Sequence, residues 1–245
     1  MRSAMTAVSV DLAYRKYSDI GIAVLRESST GIDVSFPDLN LRGDPCTLHL
    51  AEFLVSLCRE CGSTTLLIDG PQAWKDPKNG LEHSRVCERT LNTPAKTGLP
   101  GIVKPTNYTP FVSFSIELFD RLGSQGWQRF SGIEESGVPV VAESFPLSAW
   151  KSLGLTALPA KKKCKKETLE QQTAVLSHYA SLNMSRLPSH DELQAAVAGL
   201  AGIPLAKRNI ASLRLSGCAP FSDADGVFRE GFIVNPLKEQ IDGVA

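Results

Sequence analysis

The chain has 245 residues, of which 42% are hydrophobic and 21% charged, and neither glycine (19) nor proline (15) is in excess. This composition excludes collagen-like, low-complexity and mostly disordered proteins. Lys and Arg (26) balance Asp and Glu (26), so no overall field draws the protein to nucleic acid, and any polyanion site must be local. No apolar stretch is long enough to span a bilayer, and the amino-terminal residues lack the apolar segment of a secretory signal. We therefore expect a cytoplasmic protein without a membrane partner.

The six cysteines are too few for a disulfide scaffold, and we expect them to be thiols. Cys58 and Cys61 form the only suggestive spacing, which leaves a zinc site open. Both thiols also continue the apolar stripe of a predicted helix over residues 47–61, which favours the alternative that they pack in the core.

Taken in chain order, the predicted elements indicate a mixed α/β sheet. Apolar runs predict a meander of three strands, then a helix and a further buried strand; these lie at residues 6–11, 20–25, 31–36, 47–61 and 64–69. The later elements are helices at 111–122, 146–153, 165–182 and 189–200, a buried strand at 138–143 and an edge strand at 226–234. Strands that come first and then alternate with helices are typical of a mixed sheet covered by helices.

Residues 71–110 predict a long irregular connection, because they hold six of the fifteen prolines and room for at most one short helix, at 81–91. The same segment carries six Lys or Arg residues against three acids. Long loops in compact domains are usually functional, so we expect a flap with its basic residues towards a site. Trp74 and Tyr108 within it could stack on bases, or could simply anchor the loop.

Three apolar runs each end at an acid, namely Asp11, Asp69 and Glu143. The carboxyl ends of neighbouring parallel strands lie at one edge of a sheet, so these acids could converge there. Clustered carboxylates repel unless a cation neutralises them, and hard oxygen ligands suit Mg²⁺ or Mn²⁺. The alternative is that each acid only begins a turn or caps the next helix.

A fourth acidic position opens the late helix. Ser189 and Glu192 have the spacing of a capping box. Asp191 lies between them in the first turn, where the helix dipole favours acids. These acids alone therefore do not indicate a site.

Six segments of the sequence carry a family resemblance. They are VSVDLA, IDGPQAWK, SRVCERTLNTPAKTG, VVAESFPLSAWK, KETLEQQTAVL and SHDELQAAVAGL. Together they resemble domain-of-unknown-function family 429, whose members are predicted nucleases with an RNase H-like fold. The resemblance implies a sheet of three antiparallel strands followed by parallel strands, with helices on both faces. We accordingly expect one domain over residues 1–202, with the insertion at 71–110, and a carboxy-terminal extension over 203–245 packed on it.

The resemblance also implies a set of catalytic metal ligands. It assigns Asp11 to the first strand, Asp69 to the fourth, Glu143 to the end of the fifth and Asp191 to the late helix. The sequence departs from the family pattern three residues after the helix Asp, where Gln194 replaces a second acid. Glu192 lies on a different helix face, so full two-metal chemistry is left open.

This reading predicts a nuclease that hydrolyses phosphodiester bonds with Mg²⁺ or Mn²⁺. Residues expected to contact substrate phosphates are Arg85, Arg89, Lys161, Lys162 and Lys163. The lysine cluster could instead be a solvated helix start.

Two other classes compete with the nuclease. One is a non-catalytic RNase H-like module that binds nucleic acid or protein, which the zero net charge and Gln194 favour. The other, an actin-like ATPase or sugar kinase, ranks last because no Gly-rich phosphate loop follows Asp11. The sequence does not distinguish DNA from RNA, nor does it give the oligomeric state.

Overall fold

The computed structural model describes residues 4–132 and 137–238. Its strands are β1 (Thr6–Asp11), β2 (Gly21–Ser28), β3 (Gly31–Ser35), β4 (Thr65–Asp69), β5 (Lys96–Thr97), β6 (Val103–Lys104), β7 (Gln128–Arg129), β8 (Val140–Ser144), β9 (Ser181–Asn183), β10 (Leu213–Ser222) and β11 (Phe228–Pro236). Its α-helices are α1 (Thr47–Cys61), α2 (Val86–Leu91), α3 (Thr109–Ser124), α4 (Pro146–Ser152), α5 (Lys166–Leu176), α6 (His190–Gly199) and α7 (Gly202–Ala206).

One mixed sheet organises the chain, with strands in the order β10-β11-β8-β4-β1-β2-β3-β9 and with β7 also paired to β8. The first three strands form an antiparallel meander, whereas β1, β4 and β8 run parallel. Three antiparallel strands followed by parallel ones, with α1 as the crossover, is the RNase H-like arrangement. The fold class expected from the sequence is confirmed. The strands that end at Asp11 and Asp69 are adjacent and parallel, as predicted.

Helices cover both faces of the central strands, which explains their uninterrupted apolar runs. Along β1 and β4, alternate residues enter different cores. Ala7 and Leu67 belong to the core under α4, α6 and α7. Val8 and Leu66 belong to the core under α1 and α3, and so does Cys58. Burial raises the pKa of the Cys58 thiol, and the core-packing interpretation of this cysteine is confirmed.

The helix predicted over residues 165–182 is shorter than expected. The structure ends α5 at Leu176 and forms the edge strand β9, which runs parallel to β3. Leu176 and Ala180 both pack in the core under α6. Their spacing of four residues mimics a continuing helix, although a turn separates them.

The insertion at 71–110 is attached to the β10–β11 hairpin, a hairpin for which the sequence indicated only one edge strand. Glu230 of β11 is 1% exposed and accepts hydrogen bonds from the backbone N–H groups of Asp76 and Val86. The side-chain amide of Asn79 donates to the same carboxylate at 2.6 Å. β11 itself runs parallel to β8, so the hairpin extends the sheet and supports the insertion beside the end of β4.

None of the helices in the described part of the chain combines the length and apolar character needed to cross a bilayer.

Candidate functional site

Two carboxyl groups meet where β1 and β4 end. Asp11 and Asp69 are register partners across the parallel pair, so their side chains leave the sheet on the same face. Both residues are half-buried, and their carboxyl groups hydrogen bond to each other. The acids that end these two strands therefore lie side by side, and the predicted pairing of the two strands is confirmed.

The start of α6 brings a third carboxyl group to this pair. The capping box is present: Glu192 N donates to Ser189 Oγ at 3.2 Å, and Ser189 N donates to Glu192 Oε2 at 2.7 Å. Gly21, the register partner of Asp11 on β2, allows the helix to approach the sheet. A Cβ at Gly21 would lie 2.1 Å from the backbone carbonyl of Asp191. Glycine at this position therefore permits Asp191 to reach Asp11.

His190 adds a nitrogen ligand that the sequence interpretation missed. One ligand atom each from Asp11, His190 and Asp191 lie within 4.8 Å of one another. His190 Nε2 lies 3.0 Å from the carbonyl oxygen of Pro159, and Nδ1 lies 3.1 Å from Asp191 Oδ1. When Nε2 carries the proton and donates to the carbonyl, Nδ1 faces the carboxylates with its lone pair. A backbone carbonyl that orients a histidine in this way is common around metal ligands.

The electrostatics of the Asp11–Asp69 pair favour an added cation. Burial raises the pKa of Asp69 to about 7, the hydrogen bond from Asp11 lowers it in part, and the charge of Glu143 raises it further. Burial also holds the pKa of Asp11 well above its usual range, and the charges of Asp69 and Asp191 add to this effect. Carboxyl groups that resist ionisation together are stabilised when a cation lies between them.

A lysine supplies positive charge on one side of this cluster. Lys161 Nζ contacts Asp191 Oδ2 and lies 2.8 Å from Asp19 Oδ1. The Lys161 side chain is 48% exposed, so water reaches the pair. In the structure, Lys161 therefore lies at the carboxylates and not on a separate basic surface.

Glu143 lies next to this cluster but belongs to a different set of contacts. It is the register partner of Ile68, one position before Asp69, and so leaves the sheet on the opposite face. Arg85 binds both of its oxygens at 2.7 Å, and Gln72 N donates to Oε2 at 3.0 Å. Glu88 accepts two further bonds from the same guanidinium. Arg85 is 1% and Glu143 3% exposed, and each satisfies the other's hydrogen bonds inside the protein.

Two other positions of α6 are engaged elsewhere. Gln194, three residues after Asp191 on α6, accepts a hydrogen bond from Trp150 Nε1 at 2.7 Å. Both oxygens of Glu192 are bound by Arg186, at 2.7 and 2.8 Å. Glu192 therefore does not replace the missing acid, and Asp191 is the carboxylate that α6 contributes.

The other basic residues expected to bind phosphates lie on the surface. Arg89 on α2 and the neighbouring pair Lys162 and Lys163 are exposed. Their phosphate contacts stay a prediction. Trp74 and Tyr108 are half-buried against a small core that includes Val103.

The comparisons with known proteins gave only structural similarity. No protein-family model and no curated protein sequence matches the chain. Solved structures that resemble it include Thermus thermophilus RuvC, at 11% identity and a TM-score of 0.41. The T. thermophilus RuvC complex with a Holliday junction substrate resembles it at 12% identity and a TM-score of 0.40. Each alignment covers 83% of this chain and 96% of the RuvC chain.

Proposed function

We propose that this protein is a divalent-metal-dependent nuclease that hydrolyses phosphodiester bonds. One observation carries the proposal: Asp11, His190 and Asp191 each place a ligand atom within 4.8 Å of the others at the carboxyl edge of the sheet, where Asp69 is the register partner of Asp11. This is the edge at which ligands bind in open α/β sheets. We propose family 429 as the family, on the sequence segments that resemble it.

The chemistry of these side chains fits Mg²⁺ or Mn²⁺. Carboxylate oxygens are the ligands that both ions prefer, and an imidazole nitrogen is compatible with a transition metal. Asp11 and Asp69 would hold the ion after giving up their shared proton, with Asp191 and His190 completing the set. When bound, such an ion polarises the phosphate and activates the attacking water. We do not include Glu143 among these ligands, because Arg85 and Gln72 already occupy its oxygens.

The chain's own residues have separable tasks in this proposal. Asp11 and Asp69 concentrate negative charge at the edge. The Pro159 carbonyl fixes the ring of His190, so that Nδ1 points to the carboxylates. Exposed Arg89, Lys162 and Lys163 contact phosphates and position the strand without reading its sequence. A local basic surface is needed because the net charge is zero.

The first experiment measures thermal unfolding with and without Mg²⁺ or Mn²⁺. An ion at about one hundred times its Kd stabilises the folded state by about 2.7 kcal/mol, which is roughly 5–10 °C for a chain of this size. Asp11→Asn should remove most of that shift. Asp33→Asn is the matched control. Asp33 lies on β3, away from the ends of β1 and β4, so this variant should keep the metal-induced shift. No shift at millimolar metal, or an unchanged shift in Asp11→Asn, contradicts the proposal.

Hydrolysis is the second measurement. Labelled single-stranded, duplex and branched DNA and RNA are incubated with each ion. Asp11→Asn should abolish cleavage and leave binding through the surface lysines nearly intact, with a similar salt dependence. If cleavage persists in Asp11→Asn, another site or a contaminating enzyme is responsible for it, and the proposal is wrong.

A non-catalytic binding module is the second candidate, and two contacts favour it. Lys161 places an ammonium group at Asp191, and Trp150 holds Gln194 at the position where the family has an acid. A protein of this class would bind nucleic acid with or without divalent ions and would show no metal-induced stabilisation. The thermal measurement separates the two candidates before any substrate is known.

A further inference from the structure

A cavity of about 180 Å³ opens beside Asp69, between the ends of β4 and β8 and the insertion at 71–110. Its aromatic and proline walls are formed by Pro71, Pro94, Tyr108, Phe111 and Phe145. Tyr108, Phe111 and Phe145 are half-buried. The ring of Phe111 also lies 6.4 Å from that of Tyr14, which follows β1. The walls therefore suit a flat, apolar ring.

Ser144 is among the residues that line the same cavity, and it carries a buried hydroxyl group. Ser144 is 1% exposed, and its Oγ has no hydrogen-bond partner among the described residues. Ser144 is the register partner of Asp69, so it lies next to the proposed metal ligands. A buried hydroxyl normally finds a hydrogen bond, and a ligand with a polar edge would supply one.

The charges of the lining exclude an anion from the cavity. Arg85 is the cation there, and its guanidinium is bound by Glu88 and Glu143. Asp69 adds a further acid. A phosphate would therefore meet excess negative charge, whereas a neutral ring would not. The volume is also below the range of about 300–1,000 Å³ that holds larger organic ligands.

We propose that this cavity binds one unpaired nucleobase of the strand whose phosphate is cleaved at the neighbouring carboxylates, and this proposal rests on the proposed nuclease function. The base stacks against the aromatic walls, and Ser144 Oγ hydrogen bonds to its edge. A base within a continuous duplex cannot enter, because it would first have to leave the stack. The substrate class is therefore single-stranded or locally unpaired nucleic acid.

The binding experiment uses short fluorescein-labelled single strands of DNA and of RNA, with Ca²⁺, which takes oxygen ligands, in place of Mg²⁺. Each base is replaced in turn by an abasic site. At one position we expect the loss of the base to weaken binding about tenfold, as stacking on aromatic side chains implies. Equal Kd values for the intact strand and every abasic strand would overturn the proposal.

Two pairs of variants localise the effect. Thr93→Trp fills the cavity from its rim, since Thr93 lines it, and should weaken the intact strand about tenfold and remove the abasic effect. Thr90→Trp places the same ring on the exposed side of α2 and should bind like the wild type. Equal losses in both variants would contradict the proposal.

The second pair tests the hydroxyl. Ser144→Ala should reduce discrimination among bases at the sensitive position. Ser9→Ala removes another buried hydroxyl without a partner among the described residues, away from the cavity, and should leave discrimination unchanged. Both changes should leave the melting temperature nearly unchanged, because neither breaks a hydrogen bond.

The base-binding and nuclease proposals fail separately. If metal stabilises the protein and strands are hydrolysed, but no single base affects binding, the base-binding proposal is wrong and the nuclease proposal stands. If one base affects binding and Thr93→Trp abolishes that effect, but the protein shows neither metal-induced stabilisation nor hydrolysis, the nuclease proposal is wrong and the base-binding proposal stands. Absence of any strand binding overturns both.

Discussion

Two groups of acids lie within one register step of each other at the ends of β4 and β8, and their surroundings differ. The Glu143 group consists of Glu143 and Glu88, and the Asp11 group consists of Asp11 and Asp69. Glu143, with Glu88, is bound by Arg85, a guanidinium that is 1% exposed. On the opposite face, the carboxyl groups of Asp11 and Asp69 hydrogen bond to each other. Lys161 reaches this second pair only through Asp191, which it contacts from solvent.

A structural acid cluster and a candidate site differ in how their carboxylates are compensated. Both groups follow apolar strands, and burial raises carboxyl pKa values in both. In the Glu143 group, donors from the chain satisfy the carboxylates. In the Asp11 group, the carboxyl groups resist ionisation together and stay half-exposed to an external cation. Both groups contain acids, so their presence does not distinguish them. The two groups differ in the source of the compensating charge.

The largest expected effect comes from removing the internal cation. Arg85→Met leaves Glu88 and Glu143 buried without a counter-charge, and such a loss costs about 3–5 kcal/mol of the free energy of unfolding. Urea unfolding measures it. Arg89→Met, exposed on α2, is the control and should change stability by less than about 0.5 kcal/mol. Similar stabilities for the two variants would show that the Glu143 group is not held by its guanidinium.

The second prediction concerns pH and the Asp11 group. The pKa of Asp69 is about 7 in the folded protein, against an ordinary value near 3.9 in the unfolded chain. Between these values a folded Asp69 binds more protons than an unfolded one, so its contribution to stability falls as pH rises and levels off above about 7. From pH 5 to pH 8, Asp69 alone should lower the free energy of unfolding by a value on the order of 3 kcal/mol.

Thermal unfolding across this pH range, without metal, tests the second prediction. Asp11→Asn removes a second buried carboxyl group whose pKa is raised in the folded protein, so its own proton no longer contributes to the fall and the slope should flatten. Asp33→Asn should keep the wild-type slope. A stability that rises from pH 5 to pH 8, or an unchanged slope in Asp11→Asn, would show that burial does not keep these two carboxyl groups protonated in the folded state.

The sequence predicted the half of the site that depends on strand order. Apolar runs that end at Asp11 and Asp69 reveal parallel strands, because a strand buried on both faces has little choice of residue type. Glu143 has the same local pattern, yet its role depends on register: one position along β8 moves its side chain to the other face. Neither periodicity nor the acid itself carries that information.

The remaining errors have the same origin in tertiary contact. The sequence indicates that Arg85 is a cation in a loop, and its contact with Glu143 is evident only from the fold. His190 reads as part of a helix start, and its distance from Asp11 depends on how α6 crosses β2. One signal for that approach was present in the sequence, namely Gly21 at the start of a strand. A glycine there is typical of close backbone approach, but the residue that approaches it cannot be predicted from the pattern.

The third prediction tests that approach. Gly21→Ala should force α6 away from the sheet, since the added Cβ would meet backbone atoms of Asp191. We expect a loss of roughly 1–3 kcal/mol in unfolding free energy and a weaker metal-induced shift. Gly123→Ala, in α3 with nothing closer than 3.9 Å to the added Cβ, should stabilise by up to about 1 kcal/mol. Unchanged metal binding in Gly21→Ala would mean that Asp191 is not needed in the ligand set.

Lys161, the exposed lysine at Asp191, should be exchangeable for a metal ion, and its removal should have a small effect. Lys161→Met removes the ammonium group from Asp191, and the affinity for Mg²⁺ or Mn²⁺ should rise roughly fivefold, about 1 kcal/mol, the size of an exposed ion pair. Lys162→Met is the matched control: it removes the same charge from an exposed neighbour and should leave the metal Kd unchanged. Titration calorimetry with each ion gives the two constants. Because Lys162 is proposed to contact a phosphate and Lys161 is not, only Lys162→Met should reduce the salt dependence of strand binding, by about one phosphate contact. Weaker metal binding in Lys161→Met would instead make Lys161 a support for Asp191, comparable to Arg85 in the Glu143 group, and the distinction between the two acid groups would fail.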